Sequence, residues 1–144
     1  MIAIACDHGG YDLKLSIIQY LKEHGIQYKD LGCGGEPVDY PVYAKKVAEE
    51  ILTGRCEKGI LLCGTGIGAS IAANKIKGIR CALCSDCFSA EATRLHNDAN
   101  VLAMGGRVVA EEMAVKIVDI FLNTPFSNDE RHMRRISQIE GIEK

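Results

Sequence analysis

The amino-acid sequence predicts an α/β fold in which a five-stranded parallel sheet lies between two layers of helices. Three observations support this prediction. Short apolar runs, which are typical of buried strands, recur along the chain. Longer segments with apolar residues at helical spacing lie between them, and glycine or polar turn residues separate the two kinds of segment. Alternation of strand and helix implies parallel strands with helices on both faces of the sheet.

The first half of the chain contains two strands and two helices. The first predicted strand covers residues 2–6 and ends at the turn Asp7-His8-Gly9-Gly10. A helix follows and ends at Gly25, and a weaker second strand covers residues 26–31. A glycine-rich loop then leads to a helix that follows Pro41. The predicted inner faces of these two helices are Leu13, Ile17, Ile18 and Leu21, and Ala44, Val47, Ala48 and Ile51.

The second half contains three more strands, at residues 59–63, 80–84 and 101–104. A small-residue helix that ends near Gly78 follows the third strand, and a helix over about 86–96 follows the fourth. One further helix follows the fifth strand, and Asp129 can cap a last, C-terminal helix. The predicted inner faces of the last three helices are Phe88, Ala92 and Leu95; Met113, Ile117, Ile120 and Phe121; and Met133, Ile136 and Ile139. The whole pattern is a three-layer α/β/α, Rossmann-like arrangement.

The composition is that of an ordinary globular protein and excludes several other classes. The 144 residues suffice for one domain, residues 1–144, with a hydrophobic core. The net charge is −2, and no block of like charges indicates a surface that binds nucleic acid or a membrane. We expect neither a signal peptide nor a membrane span, because no apolar stretch has the required pattern. Seven cysteines, several of them inside apolar runs, favour reduced thiols and a cytoplasmic location.

The third strand ends at Cys63 and opens into a glycine loop with Gly64, Gly66 and Gly68 at alternate positions. Glycines let the backbone turn tightly and approach a ligand, and the amides at the start of the next helix favour an anion. Open α/β sheets bind ligands at this edge. A thiol in such a place can act as a base or nucleophile, although a free cysteine is often only a small buried side chain.

Other polar side chains are predicted near the same edge. Asp7 and His8 follow the first strand, and the Thr65 hydroxyl and the loop amides of Gly66 and Gly68 could donate to an oxyanion. A carboxylate, imidazole, thiol and hydroxyl suit proton transfer on a polar small molecule. The structural alternatives are that Asp7 caps the first helix and that Thr65 only closes the loop.

His96 ends the helix after the fourth strand, and therefore lies at the opposite edge of the sheet unless a partner subunit or loop geometry brings it to the site. It could also be a cation that stabilises a helix C-terminus. Arg131 and Arg135 share one helix face, and Arg107 follows two glycines after the fifth strand. Paired arginines suit a phosphate, but a solvated basic face is the simpler interpretation.

Two further patterns are weaker. Gly64-x-Gly66-x-x-Ala69 approximates a dinucleotide-binding fingerprint, with Asp86 near the position of a ribose-binding acid. This match follows the third strand rather than the first. Cys81-x-x-Cys84-x-x-Cys87 resembles part of an iron–sulfur pattern, but within a strand Cys81 and Cys84 point to opposite faces. We therefore expect no metal, and a nucleotide-binding module without chemistry at Cys63 is the alternative from another class.

Several short motifs occur together and in order: Cys6-Asp7-His8, Asp39-Tyr40-Pro41, Cys63-Gly64-Thr65-Gly66-Ile67-Gly68 with Ala72-Ala73-Asn74-Lys75, His96-Asn97-Asp98 with Asn100-Val101-Leu102, Gly106-Arg107-Val108-Val109, and Arg131-His132 with Arg135. With these motifs the whole chain resembles the type B ribose-5-phosphate isomerases, which are related to the galactose-6-phosphate and allose-6-phosphate isomerases. The other cysteines, at positions 33, 56, 81, 84 and 87, match no motif.

The resemblance implies a reaction, the interconversion of D-ribose 5-phosphate and D-ribulose 5-phosphate without metal or cofactor. It implies that Cys63 is the base that moves a proton between C2 and C1 through a cis-enediolate. Thr65 and the loop amides from Gly64 to Gly68, including Ile67, would stabilise that anion. His96, with Asp7 nearby, would open the furanose ring.

The resemblance also implies the remaining substrate contacts. His8, Arg131 and Arg135 would hold the phosphate, Asn97 and Arg107 match further ligand-binding positions, and Tyr40 would line the pocket. The family works as a homodimer with shared active sites, to which His96, Asn97 and Arg107 would come across the interface; a tetramer is an alternative. Because a phosphate clamp measures sugar length, a hexose 6-phosphate (allose or galactose) is the alternative substrate.

Overall fold

Five short strands form a parallel sheet in the computed structural model, which describes residues 1–143. In chain order the strands are β1 (Ile2–Cys6), β2 (Tyr28–Asp30), β3 (Lys58–Cys63), β4 (Cys81–Leu83) and β5 (Val101–Gly105). Their spatial order is β2-β1-β3-β5-β4, and every neighbouring pair is parallel. The predicted five-stranded parallel sheet is therefore confirmed, although β2 and β4 are shorter than expected.

Six helices connect and cover these strands. They are α1 (Tyr11–Glu23), α2 (Tyr40–Leu52), α3 (Ile67–Asn74), α4 (Cys87–Asn97), α5 (Glu111–Asn123) and α6 (Glu130–Glu140) within the described residues. One core cluster joins the sheet to α1, α4 and α5, and a second joins it to α2 and α3. The three-layer α/β/α prediction is therefore confirmed. None of the described helices combines the length and apolar character that crossing a bilayer requires.

The two faces of the sheet differ in side-chain size. Along β1, the large Ile2 and Ile4 face the α1/α5 layer, whereas the small Ala3 and Ala5 face the α2/α3 layer. The alternation follows from the two-residue period of a strand. Small side chains allow close packing on the α2/α3 side, where a Cβ added to Gly59 would lie 2.4 Å from a methyl carbon of Val47. Cys63 belongs to this small-residue face.

The prediction for the inner face of α4 is wrong at Phe88, which is 80% exposed. The helix instead buries Ala90, Thr93 and Arg94. The Arg94 guanidinium is satisfied by the carbonyl groups of Ala99 and Thr124 and by the carboxylate of Asp98. These hydrogen bonds offset the free-energy cost of burying the Arg94 charge. Three other expected core residues are exposed: Met113 on α5 and Met133 and Ile139 on α6.

Two asparagines of the sequence motifs satisfy backbone groups around the edge strand β4. The Asn74 side-chain amide donates to the Cys81 carbonyl at 2.9 Å and accepts from the Cys81 amide at 2.8 Å. The Asn100 side chain bonds the Arg80 amide and the Gly78 carbonyl in the same way. These bonds satisfy backbone groups that an edge strand would otherwise present to solvent. These hydrogen bonds explain why asparagine occurs at positions 74 and 100, and neither residue needs a role in chemistry.

Candidate active site

Three turns meet at the carboxyl edge of the sheet, after β1, β3 and β5. The Gly106 amide donates to the Cys63 carbonyl at 2.8 Å, and the Arg107 amide donates to the Gly64 carbonyl at 3.0 Å. A Cβ added to Gly9 would lie 2.8 Å from the Gly64 nitrogen, and one added to Gly106 would lie 2.4 Å from the Gly9 oxygen. Glycine is required because the turns pack backbone against backbone. The sheet order changes direction between β1 and β3, which is where α/β sheets bind ligands.

Cys63 ends β3 inside this convergence and is only 4% exposed. The Gly66 amide donates to its sulfur across 3.0 Å. Gly66 adopts a left-handed φ of 80°, and a Cβ there would lie 2.7 Å from the Met104 carbonyl carbon. Only glycine therefore fits this turn without strain. The bond fixes the sulfur at the end of β3, and a thiolate in such a position can act as a base.

The Gly66 amide differs from our expectation, because it binds the Cys63 sulfur rather than facing an oxyanion. The Thr65 hydroxyl oxygen accepts from the Ile67 amide at 3.2 Å, so its own proton is available for donation. Gly68 lies in the first turn of α3, where amides have no acceptor within the helix. Thr65 and Gly68 are thus the loop groups best placed to donate to an anion.

Tyr40 forms a wall of this region. Its ring packs on Gly68 so closely that a Cβ at that glycine would lie 2.3 Å from Cε1. Tyr40 is the first residue of α2, whose second residue is Pro41. The structure therefore brings Tyr40 to the glycine loop, as the sequence analysis predicts.

Asp7 and His8 stand on the turn after β1. Asp7 caps a 3₁₀ turn at His8–Gly10, because its Oδ1 accepts from the Gly9 amide at 2.9 Å. Asp7 therefore has a capping role, but on the short turn before α1 and not on α1 itself, which begins after Gly10 without a side-chain cap. The same bond holds the carboxylate beside the glycine loop. The Val38 amide donates to Nδ1 of the exposed His8 at 3.4 Å. In the neutral imidazole this leaves Nε2 as the N–H that can donate to a ligand.

Arg107 lies against the glycine loop of its own chain. A Cβ added to Gly64 would lie 3.2 Å from the Arg107 Nη1 atom. This differs from the expectation that Arg107 reaches the site across an interface. The reason is local, since the turn after β5 bonds directly to the end of β3 through the Gly106 and Arg107 amides. A guanidinium therefore lies against Gly64, the residue between Cys63 and Thr65, within one chain.

A second group of predicted site residues lies elsewhere. α4 runs against the strands, so that His96 and Asn97 lie at the amino edge of the sheet, where the Arg80 Nε donates to the Asn97 carbonyl at 2.9 Å. The His96 ring stacks on His132 of α6, the helix that also carries Arg131 and Arg135. One chain therefore holds two separate sets of predicted site residues. The position of His96 at the opposite edge of the sheet agrees with the sequence analysis.

The weaker sequence patterns have structural explanations. Asp86 caps α4, and its bonds from the Ser89 amide and hydroxyl lower the pKa of the carboxyl group. β5 lies between β3 and β4, so Asp86 does not follow a strand adjacent to the one that opens into the glycine loop. Cys81 and Cys84 pack on opposite faces of the sheet, and burial raises their pKa values to about 12 and about 11. In residues 1–143, no cluster of three histidine, cysteine or acidic side chains could hold a metal ion.

The comparisons with known proteins decide the family. A family model described as Ribose/Galactose Isomerase matches residues 2–139. The chain belongs to the ribose/galactose isomerase family. This membership confirms both the resemblance and the prediction of an isomerase. The chain is 47% identical to ribose-5-phosphate isomerase B of Escherichia coli over 144 residues, which cover 99% of this chain and 96% of that protein.

Solved structures of family members have the same fold. The structure of ribose-5-phosphate isomerase B from Clostridium thermocellum matches with a TM-score of 0.95 and 48% identity, over 98% of this chain and 95% of that chain. The ribose 5-phosphate isomerase of Thermotoga maritima also matches with a TM-score of 0.95, at 50% identity, over 98% of this chain and 97% of that chain. The Rossmann-like fold is thus confirmed from sequence and structure together.

Sequence reasoning missed three features of the two residue sets. It did not find the His96–His132 stack, the contact of Arg80 with the Asn97 carbonyl, or the bond from Gly66 to the sulfur of Cys63. His132 belongs to one of the sequence motifs and Arg80 begins the predicted fourth strand. Their contacts were not predictable, because they join residues that are far apart in the chain. For Gly66, the position of a glycine three residues after a strand-end thiol is the only local signal.

Proposed function

We propose that this chain is an aldose–ketose isomerase that interconverts D-ribose 5-phosphate and D-ribulose 5-phosphate. The observation that carries the proposal is the buried Cys63 thiol, bonded by the Gly66 amide at the carboxyl end of β3. The family membership and the names of the relatives support the substrate. The reaction moves one proton between adjacent carbons, so a single base and an oxyanion site suffice, without a metal or redox cofactor.

The proposed proton transfer begins with the Cys63 thiolate. It takes the proton from C2 of the open-chain aldose, and the C2–H electron pair forms the enediolate while negative charge builds on O1. The Thr65 hydroxyl and the loop amides, chiefly that of Gly68, stabilise this charge. The Cys63 thiol then gives its proton to C1 while the proton on O2 passes to O1, so that the C2=O bond of the ketose forms and the thiolate is regenerated. Burial of Cys63 supports this role, because water is kept from the reactive intermediate.

The separation of the two residue sets supports a homodimer with shared active sites. We propose that Cys63, Thr65, Asp7, His8 and Arg107 of one protomer face His96, Asn97, Arg131 and Arg135 of the partner subunit. In this arrangement His96 opens the furanose ring with help from Asp7. His8 and the two arginines of α6 hold the phosphate, whose binding energy positions the reacting carbons. Arg107 then acts in its own chain, which revises the expectation from the resemblance.

An apolar surface around the edge strand supports this assembly. A groove of about 910 Å³ is lined by the exposed side chains of Leu83, Phe88, Ile139 and Ile142, among others. Large exposed apolar patches are typical of protein–protein interfaces and are rare on surfaces that stay in contact with solvent. The groove borders α4 and α6, the two helices that carry the second residue set. We propose that a second copy of this chain covers it.

The chain is further proposed to act as one domain in the cytoplasm. All seven cysteines are unpaired in the structure, including Cys6 and Cys33, whose sulfurs lie 3.9 Å apart. Free thiols at that distance support a reducing compartment.

An assay with a chelator tests the function. The purified protein is incubated with ribose 5-phosphate and EDTA, and ketose formation is followed. Turnover supports the proposal, whereas activity that disappears with the chelator contradicts the metal-free mechanism. Turnover of allose 6-phosphate or galactose 6-phosphate in place of ribose 5-phosphate would identify a hexose phosphate isomerase. A melting temperature raised by NAD but not by ribose 5-phosphate would indicate nucleotide binding instead.

A further inference from the structure

His132 forms an aromatic platform under the proposed ring-opening residue. Its ring centroid lies 4.4 Å from that of His96, and the two ring planes are 19° apart. His132 is only 7% exposed, whereas His96 is exposed. The function described above gives a role to Arg131 and Arg135 on the same helix but none to His132. A buried imidazole in contact with an exposed one therefore needs an explanation.

The platform is held in place from two directions. Asp129 caps α6 by accepting from the Arg131 amide at 3.0 Å, and the Asp129 carbonyl accepts from the His132 amide at 3.0 Å. The segment before α6 is tied to α4 by a bond from the Ser127 amide to the Leu95 carbonyl at 3.3 Å. The backbone on either side of the stack is therefore fixed, and the His132 side chain is buried.

The surroundings of His132 keep it uncharged at neutral pH. The charged and titratable groups that face it are His96 from α4, and Asp129, Arg131 and Arg135 from α6 and its cap. Burial, and then the electrostatic influence of His96, Arg131 and Arg135, lower the pKa of His132, and only Asp129 opposes them. A neutral imidazole presents a flat face to His96 without repelling a proton on it.

We propose that His132 is a positioning residue, which fixes the plane of the His96 imidazole by stacking. The inference rests on the proposed function, in which His96 opens the sugar ring. An exposed histidine samples several rotamers, so a fixed neighbouring ring raises the fraction of time in the productive orientation. His132 acts through His96 and does not itself touch the substrate. Loss of the ring should therefore reduce kcat and leave KM, which reports mainly phosphate binding, nearly unchanged.

Three variants of the full-length protein test the proposal. His132→Ala removes the ring, His132→Phe keeps an aromatic face, and Met133→Ala, at an exposed neighbour on the same helix, is the control. With ribose 5-phosphate, we expect His132→Ala to lower kcat about 10- to 100-fold. His132→Phe should restore most of that loss, and Met133→Ala should match the wild type. A wild-type kcat in His132→Ala, or an equal loss in His132→Phe, would overturn the proposal.

Proton NMR of the His96 ring provides a readout that does not depend on turnover. The His96 ring-proton signals are assigned by their absence in His96→Asn. A stacked aromatic ring shifts them upfield, so they should move in His132→Ala and stay near their wild-type positions in His132→Phe. Unchanged His96 signals in a folded His132→Ala would contradict stacking. If the wild type does not isomerise ribose 5-phosphate, the proposed function fails, and the NMR comparison still decides whether His132 fixes the His96 ring.

Discussion

The Gly66 amide donates a hydrogen bond to the Cys63 sulfur across 3.0 Å. Gly66 also has a left-handed backbone, with which the chain turns into α3 directly after this amide. The hydrogen bond supplies the thiol with a fixed dipole inside a region that excludes water. Within the glycine loop, the Gly66 amide is therefore used by the thiol. The Thr65 hydroxyl and the Gly68 amide remain available to bind an anion.

Gly66→Ala should lower both stability and kcat. A left-handed alanine costs about 1–2 kcal/mol, and its Cβ would also press on the Met104 backbone at 2.7 Å. Gly54→Ala is a matched control, because Gly54 has a similar φ of 77° with nothing near its Cβ. Denaturant unfolding should show a larger loss for Gly66→Ala, and only that variant should lose turnover. Equal kinetics in the two variants would contradict a special role for the Gly66 turn.

Gly68→Ala should raise KM through Tyr40. The added Cβ would overlap the Tyr40 ring, whose Cε1 lies 2.3 Å away, so the ring must leave its position in the wall of the site. In a Tyr40→Ala background the same change meets no ring and should have little further effect. A double-mutant cycle on KM measures this coupling. Additive effects would show that Tyr40 and Gly68 act separately.

The stability of the protein should fall with pH below neutrality partly because of His132. Burial lowers its pKa below the ordinary 6.5, so the unfolded chain binds this proton more readily than the folded one. The resulting stabilisation is complete above the unfolded pKa and is lost as the pH falls through the folded pKa. Urea unfolding at several pH values should therefore show a smaller decline for His132→Phe than for the wild type. Parallel curves would mean that His132 titrates normally.

Mixing two inactive variants tests the shared active site. Cys63→Ala and His96→Asn should each lose activity. After the two are unfolded and refolded together, half of the dimers should be mixed, and each mixed dimer contains one intact site. The expected activity is about a quarter of the wild type for a symmetric dimer formed at random. A mixture that stays inactive would contradict a site built from two chains.

The sheet and its carboxyl edge were predictable because their signals are local. Each strand is a short apolar run, and parallel strands necessarily share the edge at which Cys63, Asp7 and Arg107 meet. The separation of His96 from this edge was also predictable, because a helix that follows a strand ends at the opposite edge of the sheet. These features depend on the order of elements and not on which side chains touch.

The inner face of α4 could not be predicted in the same way. Phe88 is apolar and Arg94 is charged, so the hydrophobic pattern predicts that Phe88 is buried and Arg94 exposed. In the structure Phe88 is exposed and Arg94 is buried. Arg94 is buried because carbonyl groups from Ala99 and from the distant Thr124 accept its protons. The His96–His132 stack has the same origin, since α6 must fold back on α4 before the rings can meet. Contacts of this kind appear only with the tertiary fold.

The most direct test of the central claim follows the C2 hydrogen of the sugar during turnover in D₂O, with the wild type and Cys63→Ala compared. Proton NMR detects the loss of this hydrogen from ribose 5-phosphate and whether hydrogen or deuterium then occupies C1 of ribulose 5-phosphate. If Cys63 is the base, the wild type removes the C2 hydrogen and forms the ketose, largely with retention of the hydrogen because the thiol is shielded from water. Cys63→Ala, folded by circular dichroism, should show neither loss of the C2 hydrogen nor ketose. Loss of the C2 hydrogen at the wild-type rate in Cys63→Ala would show that another group moves the proton.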